Sequence, residues 1–275
     1  MRITLAGLAA RHPAARAGSP PALKPVSLEI GSGEQVAIIG PSGAGKTTLL
    51  FALACALKPD VGSLELDSID PWSLSVSALQ DLRGRLFLAP QAPPLPPRQR
   101  VVTAVLAGRL PRQSLVASLR SLVRPTGAAE ARAALKYFDL ESKLWERVDR
   151  LSGGERQRVG LARALVSQAS LWLIDEPLSS LDPSRSALAI ESLTAAARER
   201  GATLVTTLHQ VDVATRYPRV IGLRDGTVSF DLPSAEVTPA RLRELYAQHE
   251  DELTAPAPVP EVAADDAPAI VMNCR

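Results

Sequence analysis

The chain is poor in cysteine, with only Cys55 and Cys274 in 275 residues. The two lie far apart, offer no disulfide framework and suit a reducing compartment. Long apolar runs are also missing: no stretch of about 18 apolar residues occurs. No positively charged and then apolar leader opens the sequence, since Met1-Arg2-Ile3-Thr4-Leu5 runs straight into strand-like sequence. A secreted or membrane-spanning protein is therefore not expected, and work at a membrane would need another protein to hold this one there. Net charge is slight, at +2, so no overall polyelectrolyte character points to nucleic acid. There is no internal repeat. One absence is local. Residues 82 to 129 contain no acid, yet hold Arg83, Arg85, Arg98, Arg100, Arg109, Arg112, Arg120 and Arg124, with Pro90, Pro93, Pro94, Pro96 and Pro97 among them. Such a stretch reads either as a solvated surface or as a basic face that meets a partner or anionic headgroups.

Apolar residues make up 46% of the chain, enough for a proper core. Gly40-Pro41-Ser42-Gly43-Ala44-Gly45-Lys46-Thr47 is a complete G-x-x-x-x-G-K-T phosphate loop. Gln35-Val36-Ala37-Ile38-Ile39 before it reads as a buried strand, and Thr48-Leu49-Leu50-Phe51-Ala52-Leu53-Ala54 after it reads as a helix. Strand, glycine loop and helix is the context this motif requires. The glycines let successive N–H groups converge on one anion, and the helix N-terminus adds its positive end. Lys46 is placed to hold β- and γ-phosphates, and the Thr47 hydroxyl to ligate Mg²⁺.

Alternating strands and helices predict an α/β fold with a mostly parallel sheet. Residues 1 to about 35 read as β-rich, with strands at Arg2-Ile3-Thr4-Leu5 and Val26-Ser27-Leu28-Glu29-Ile30. Ser63-Leu64-Glu65-Leu66 is a further short strand. Residues 101–124 and 130–138 read as helices of an insert carrying the basic face. Leu151-Ser152-Gly153-Gly154-Glu155 precedes a helix over 156–166. Leu171-Trp172-Leu173-Ile174 is a buried parallel strand ending in Asp175-Glu176-Pro177, which puts two carboxylates at its C-terminal end. A helix over 186–199 stops at Gly201, and Thr203-Leu204-Val205-Thr206-Thr207 is another buried strand, leading to His209. Arg224-Asp225-Gly226 between two apolar strands signals a hairpin. A helix over 239–249 closes the folded part. From Glu250 the composition turns to Pro, Ala and acid, so 250–275 is expected to be a disordered tail.

The run Leu151-Ser152-Gly153-Gly154-Glu155-Arg156-Gln157, placed after the phosphate loop and before Asp175-Glu176, resembles the signature motif of ABC-type ATPases. The resemblance covers residues 1–249. It implies a P-loop NTPase core, an N-terminal antiparallel β subdomain and an inserted helical signature subdomain at about 83–165. It further implies ATP and Mg²⁺ as ligands. Residues 40–48, Thr48 included, would hold ATP. Thr47, Asp175 and Gln91 would hold Mg²⁺, Glu176 would polarise the attacking water, and His209 would contact the γ-phosphate as the family's switch histidine. Gln91, flanked by Pro90 and by Pro93-Pro94, stands at the family's Q-loop. His12 stands where the family usually stacks adenine on an aromatic residue. Ser152, Gly153 and Gly154, with Asp182 beside them at the interface, would close the ATP site of a second copy.

Finer segments resemble the phosphonate-import ATPases: Val105-Leu106-Ala107-Gly108-Arg109-Leu110, Thr207-Leu208-His209-Gln210-Val211-Asp212 and Leu223-Arg224-Asp225-Gly226. The resemblance implies two membrane permease subunits and, through them, a periplasmic substrate-binding protein, with the chain peripheral on the cytoplasmic face of the inner membrane and no nucleic-acid partner. An importer for another substrate, a soluble ABC ATPase and a non-hydrolysing regulatory module are the alternatives. The latter two fit less well, because the chain has one cassette, no long coiled coil, and an intact Glu176 and His209.

Overall fold

The computed structural model describes residues 1–16, 18–113, 118, 126–178 and 183–247, with side chains left out at 183–185. The tail at 250–275, the end of the last expected helix and Asp182 lie outside these residues. Two sheets organise the described chain. The smaller is antiparallel, in the order β2 (Leu23–Ile30), β1 (Ile3–Ala10), β4 (Val61–Leu66). The larger has six strands in the order β5 (Leu86–Ala89), β6 (Leu171–Asp175), β7 (Thr203–Leu208), β3 (Gln35–Ile39), β8 (Arg219–Arg224), β9 (Thr227–Pro233). The first five run parallel, and β9 returns antiparallel on β8. The turn between them puts Asp225 and Gly226 at φ 50° and 77°, the doubly left-handed geometry that suits the right-handed twist of a tight hairpin.

β3, β6 and β7 are buried at every residue, which is why their sequences are mainly apolar, with threonines in β7, rather than alternating with charged residues. Alternate side chains serve two cores. Val36, Ile38, Leu171, Leu173, Val205 and Ile221 pack with α1 (Lys46–Leu53) and the small sheet. Ala37, Ile39, Trp172, Ile174, Leu204 and Val220 pack with the helices on the other face. These include α3 (Val101–Leu106), α4 (Ala128–Lys136), α5 (Gly153–Val166) and α6 (Pro183–Glu199).

Three elements depart from the expected pattern. A helix, α2 (Val76–Arg83), forms behind Ser75, whose hydroxyl accepts the Ala78 N–H. Strand β5 then follows at once, within the segment of about 83–165 expected as the helical subdomain. Leu86-Phe87-Leu88-Ala89 is too short to show a period, and it becomes a strand by pairing with β6. The helix expected over 101–124 ends at Leu106 and continues as 3₁₀ turns, Ala107–Arg112, around Pro111. Residues 114–117 and 119–125 lie outside the described ones, Arg120 and Arg124 among them.

The basic segment is also less free than its composition implies. Arg83 donates to the Cys55 carbonyl at 2.7 and 3.2 Å, Arg85 pairs with Asp67 at 2.8 Å, and Arg109 pairs with Glu130. The acids come from outside the segment, which is why the local sequence did not show them.

Candidate functional site

Parallel strands deliver their carboxyl ends to one edge of the sheet, and the site is built there. Past β3 the chain turns through the phosphate loop. Gly40 sits at φ 153°, and a Cβ there would lie 1.9 Å from the Leu223 carbonyl, so the loop starts against β8 only because this residue is glycine. Gly45 caps α1 at φ 99°. A Cβ on it would come within 2.6 Å of the Ala22 carbonyl. Lys46 is buried, and its Nζ donates to the Gly40 carbonyl at 2.7 Å and the Pro41 carbonyl at 3.3 Å. A cavity of about 420 Å³ opens on residues 42–48 and is bounded by Gln91, Glu176, His209 and His12. The loop, Gln91, Glu176, His209 and His12, distant in sequence, thus share one space.

Asp175 ends β6 and is 5% exposed. Its Oδ2 accepts from the Thr47 hydroxyl at 2.9 Å and its Oδ1 from the Thr207 hydroxyl at 2.6 Å. Burial raises this carboxyl above the ordinary aspartate value, and the neighbouring Glu176 adds to the rise. The two threonine hydroxyls and Lys46 act the other way. Thr47, Asp175 and Gln91 offer hard oxygen donors. Among the described residues no cluster of three or more His, Cys, Asp or Glu could hold a metal by itself. Such a sparse oxygen set fits Mg²⁺, which keeps water and substrate phosphate in most of its coordination positions.

Glu176 adopts φ 46°, a left-handed conformation that costs a non-glycine residue on the order of 1–3 kcal/mol. Its carboxylate gathers three partners. Oε2 accepts from Gln91 Nε2 at 2.8 Å, Oε1 lies 2.5 Å from His209 Nε2, and Lys46 Nζ stands 3.9 Å away. Gln91 and His209, 118 positions apart in the numbering, thus meet on one carboxylate. Its backbone is also held: the Glu176 N–H donates to Thr207 Oγ1 at 3.0 Å, and its carbonyl accepts from Gln157 Nε2 at 3.0 Å. Thr207 and Gln157 stand in the motif stretches of the sequence, but nothing there assigns them this role. A threonine in a buried strand and a glutamine in a helix carry no local signal of this role.

His12 reaches the same cavity, half-buried, with its ring centroid 6.2 Å from that of Phe51 and tilted by 34°. Its Nδ1 accepts the Ala14 N–H at 3.2 Å. Ser152, Gly153 and Gly154 do not line this cavity. Ser152 instead caps α5 in a reciprocal box. Its hydroxyl accepts the Glu155 N–H at 3.2 Å, and its own N–H donates to Glu155 Oε2 at 2.8 Å. That backbone bond is the first cause of a Glu155 carboxyl lying below the ordinary glutamate value. The cap leaves Ser152 and Gly153 exposed at a helix N-terminus. A separate cleft of about 610 Å³ lies between α2 and the 3₁₀ turns, lined by Ile69, Leu74, Leu82, Arg85, Pro111 and Arg112 among others.

A protein-family model described as "ABC transporter" matches residues 23–179. The chain is 65% identical over 280 residues to a phosphonates import ATP-binding protein of Albidiferax ferrireducens, with all of both chains covered. It is 65% identical over 277 residues to one of Polaromonas sp., again with all of both covered. Among solved structures it is similar to a dimeric ATP-binding cassette in a post-hydrolysis state bound to ADP and phosphate. The TM-score is 0.72 at 30% identity, over 84% of this chain and 98% of that one.

The raised Asp175 carboxyl has a testable sign. A carboxyl whose folded value exceeds its unfolded one favours the fold below the ordinary aspartate value, and that contribution is lost as pH rises through the folded value. At neutral pH, without nucleotide or metal, Asp175→Asn should therefore melt at a higher temperature than the wild type. The gap should close as pH falls towards the ordinary aspartate range. Thermal melts across pH check this, and a lower melting temperature for the variant at neutral pH would contradict it.

Proposed function

This chain belongs to the ABC transporter family, and we propose that it is the ATP-binding and hydrolysing subunit of a phosphonate importer. One observation carries the catalytic part of the reading. Lys46 of the phosphate loop, Gln91 and His209 all converge on the carboxylate of Glu176 at the mouth of the same cavity.

The loop N–H groups and the α1 N-terminus receive the triphosphate, and Lys46 turns from its own loop carbonyls to the β- and γ-phosphates. Thr47, Asp175 and Gln91 would hold Mg²⁺. Bound there, the ion would neutralise charge on the β- and γ-phosphate oxygens as the bond from the γ-phosphorus to the bridging oxygen breaks and that oxygen leaves on ADP. Glu176 accepts a hydrogen bond from the attacking water and draws off its proton as the water oxygen bonds to the γ-phosphorus. His209, already beside Glu176, contacts the γ-phosphate. The products are ADP and phosphate. His12 supports the adenine ring at the cavity edge.

The exposed Ser152 and Gly153 and the half-buried Gly154 lie outside their own cavity, so they serve the ATP held by a second copy, where hydroxyl, N–H groups and helix N-terminus form another anion site. Asp182 belongs to the same interface. Two ATP molecules then join two copies, and loss of the γ-phosphate releases them. The dimeric state of the similar cassette supports this arrangement.

Full-length likeness to phosphonate import subunits supports the substrate class. Among the described residues no helix is long and apolar enough to cross a membrane. Two permease subunits therefore hold the pair at the cytoplasmic face of the inner membrane, and a periplasmic binding protein delivers the substrate to them. The 610 Å³ cleft, lined by Ile69, Leu74 and Leu82 together with Asp81, Arg85 and Arg112, would receive a docked permease helix.

Two outcomes test the reading. Glu176→Gln should lower ATP turnover at least about 100-fold and accumulate an ATP-bound dimer by size-exclusion chromatography, since it removes the group that takes the water's proton. Turnover at the wild-type rate would refute the assignment. A deletion strain without a second phosphonate transporter should fail to grow on a phosphonate as sole phosphorus source and should grow on inorganic phosphate. Normal growth on the phosphonate would reject the substrate class.

A further inference from the structure

Glu176 is the point on which the catalytic groups converge, yet its conformation is one that a glutamate does not adopt unaided. Its φ is 46°, and the next residue is Pro177, whose ring also disfavours the right-handed helical alternative. Two buried side chains outside the expected catalytic set grip its peptide units. Thr207, fully buried in β7, accepts the Glu176 N–H at 3.0 Å while donating to Asp175 Oδ1 at 2.6 Å. Both capacities of one hydroxyl are used. Gln157, 5% exposed on α5, donates through Nε2 to the Glu176 carbonyl at 3.0 Å and to the Gln91 carbonyl at 3.3 Å. Its amide has two N–H bonds, and each finds a carbonyl.

The second grip depends on close packing. α5 lies against the loop after Gln91 along one face. A Cβ on Gly160 would stand 2.8 Å from Pro93 Cβ, and Arg163 Nη1 reaches the Pro94 carbonyl at 3.5 Å. Positions 157, 160 and 163 share that face by helical spacing. The helix that offers Ser152 to a second copy is therefore bonded, five residues on, to the backbones of both Gln91 and Glu176.

We propose that Thr207 and Gln157 are positioning residues, which hold Glu176 in its left-handed conformation and so aim its carboxylate at Lys46, Gln91 and His209. This rests on the reading of Glu176 as the residue that draws the proton from water. Without the Thr207 hydroxyl the part-buried Glu176 N–H loses its partner, and Asp175 loses one of its two hydroxyl partners. Without the Gln157 amide the carbonyls of Glu176 and Gln91 lose their shared donor, and α5 is uncoupled from the carboxylate.

Thr207→Val keeps shape and volume but has no hydroxyl, Gln157→Met keeps length but has no donor, and Thr207→Ser restores the hydroxyl. The valine and methionine variants should each lower kcat about 10- to 100-fold, the range for residues that orient a catalytic group. KM and the stoichiometry of ATP bound in excess EDTA should stay near the wild-type values. Thr207→Ser should recover most of the lost turnover. In a Glu176→Gln background each variant should lower the residual turnover by a much smaller factor, because most of its effect passes through Glu176. Without nucleotide, amide exchange at Glu176 should speed up at least about tenfold in Thr207→Val while the β6 amides stay protected. Variants that turn over at the wild-type rate would overturn the proposal. So would losses of the same factor in the Glu176→Gln background, or unchanged exchange at Glu176. Normal hydrolysis by Glu176→Gln alone would instead remove the functional reading beneath it.

Discussion

Everything in the site hangs on one buried aspartate held between two threonines. Thr47 comes from the start of α1, Asp175 from the end of β6 and Thr207 from the end of β7, and their oxygens lie 2.6–2.9 Å apart. That contact is possible only because β3, β6 and β7 run parallel and end level. The register pairs Ile39 with Leu208 and Asp175 with Thr207. Any slip by one residue would turn Asp175 into an apolar core and strand a charge there. The fold tolerates a buried carboxyl at this place because two hydroxyls and Lys46 offset part of its burial, and a bound cation would offset more.

The second dependence runs outward from the same point. Glu176 follows Asp175 in the chain, but its conformation is set by β7 through Thr207 and by α5 through Gln157. α5 begins at the capped, exposed Ser152. On the proposed reading, a single helix joins the surface that would meet a second copy with the backbone of Glu176. Gln91 is tied to both, by side chain to Glu176 and by carbonyl to Gln157. In the proposed function, occupancy of the site, closure by a second copy and the Gln91 loop would share these few hydrogen bonds rather than a long relay.

Much of this was legible in the sequence where chemistry is local. The phosphate loop announces itself because glycine is the only residue that can pass Leu223 and Ala22 so closely, and Asp175-Glu176 because a fully apolar strand ends in two acids. The hairpin at Asp225-Gly226 follows from backbone preference alone. Strand β5 and helix α2 were not legible, because four apolar residues have no period and the strand exists through its pairing with β6. Thr207 and Gln157 were hidden for a related reason: a polar residue in a buried element looks like any satisfied core polar group until its partner is known. The arginine-rich segment misled in the opposite sense, since Arg83, Arg85 and Arg109 find partners far away in sequence.

The central claim is that one chain carries only half of each ATP site: Lys46 of one copy acts with Ser152 of another. Complementation tests it most directly. Lys46→Ala disables the phosphate loop and Ser152→Arg blocks the closing helix, so each variant alone should be inactive. A mixture should regain ATP hydrolysis, because a mixed pair holds one site with both Lys46 and Ser152 intact. A mixture as inactive as its parts, or full turnover by Ser152→Arg alone, would contradict the account.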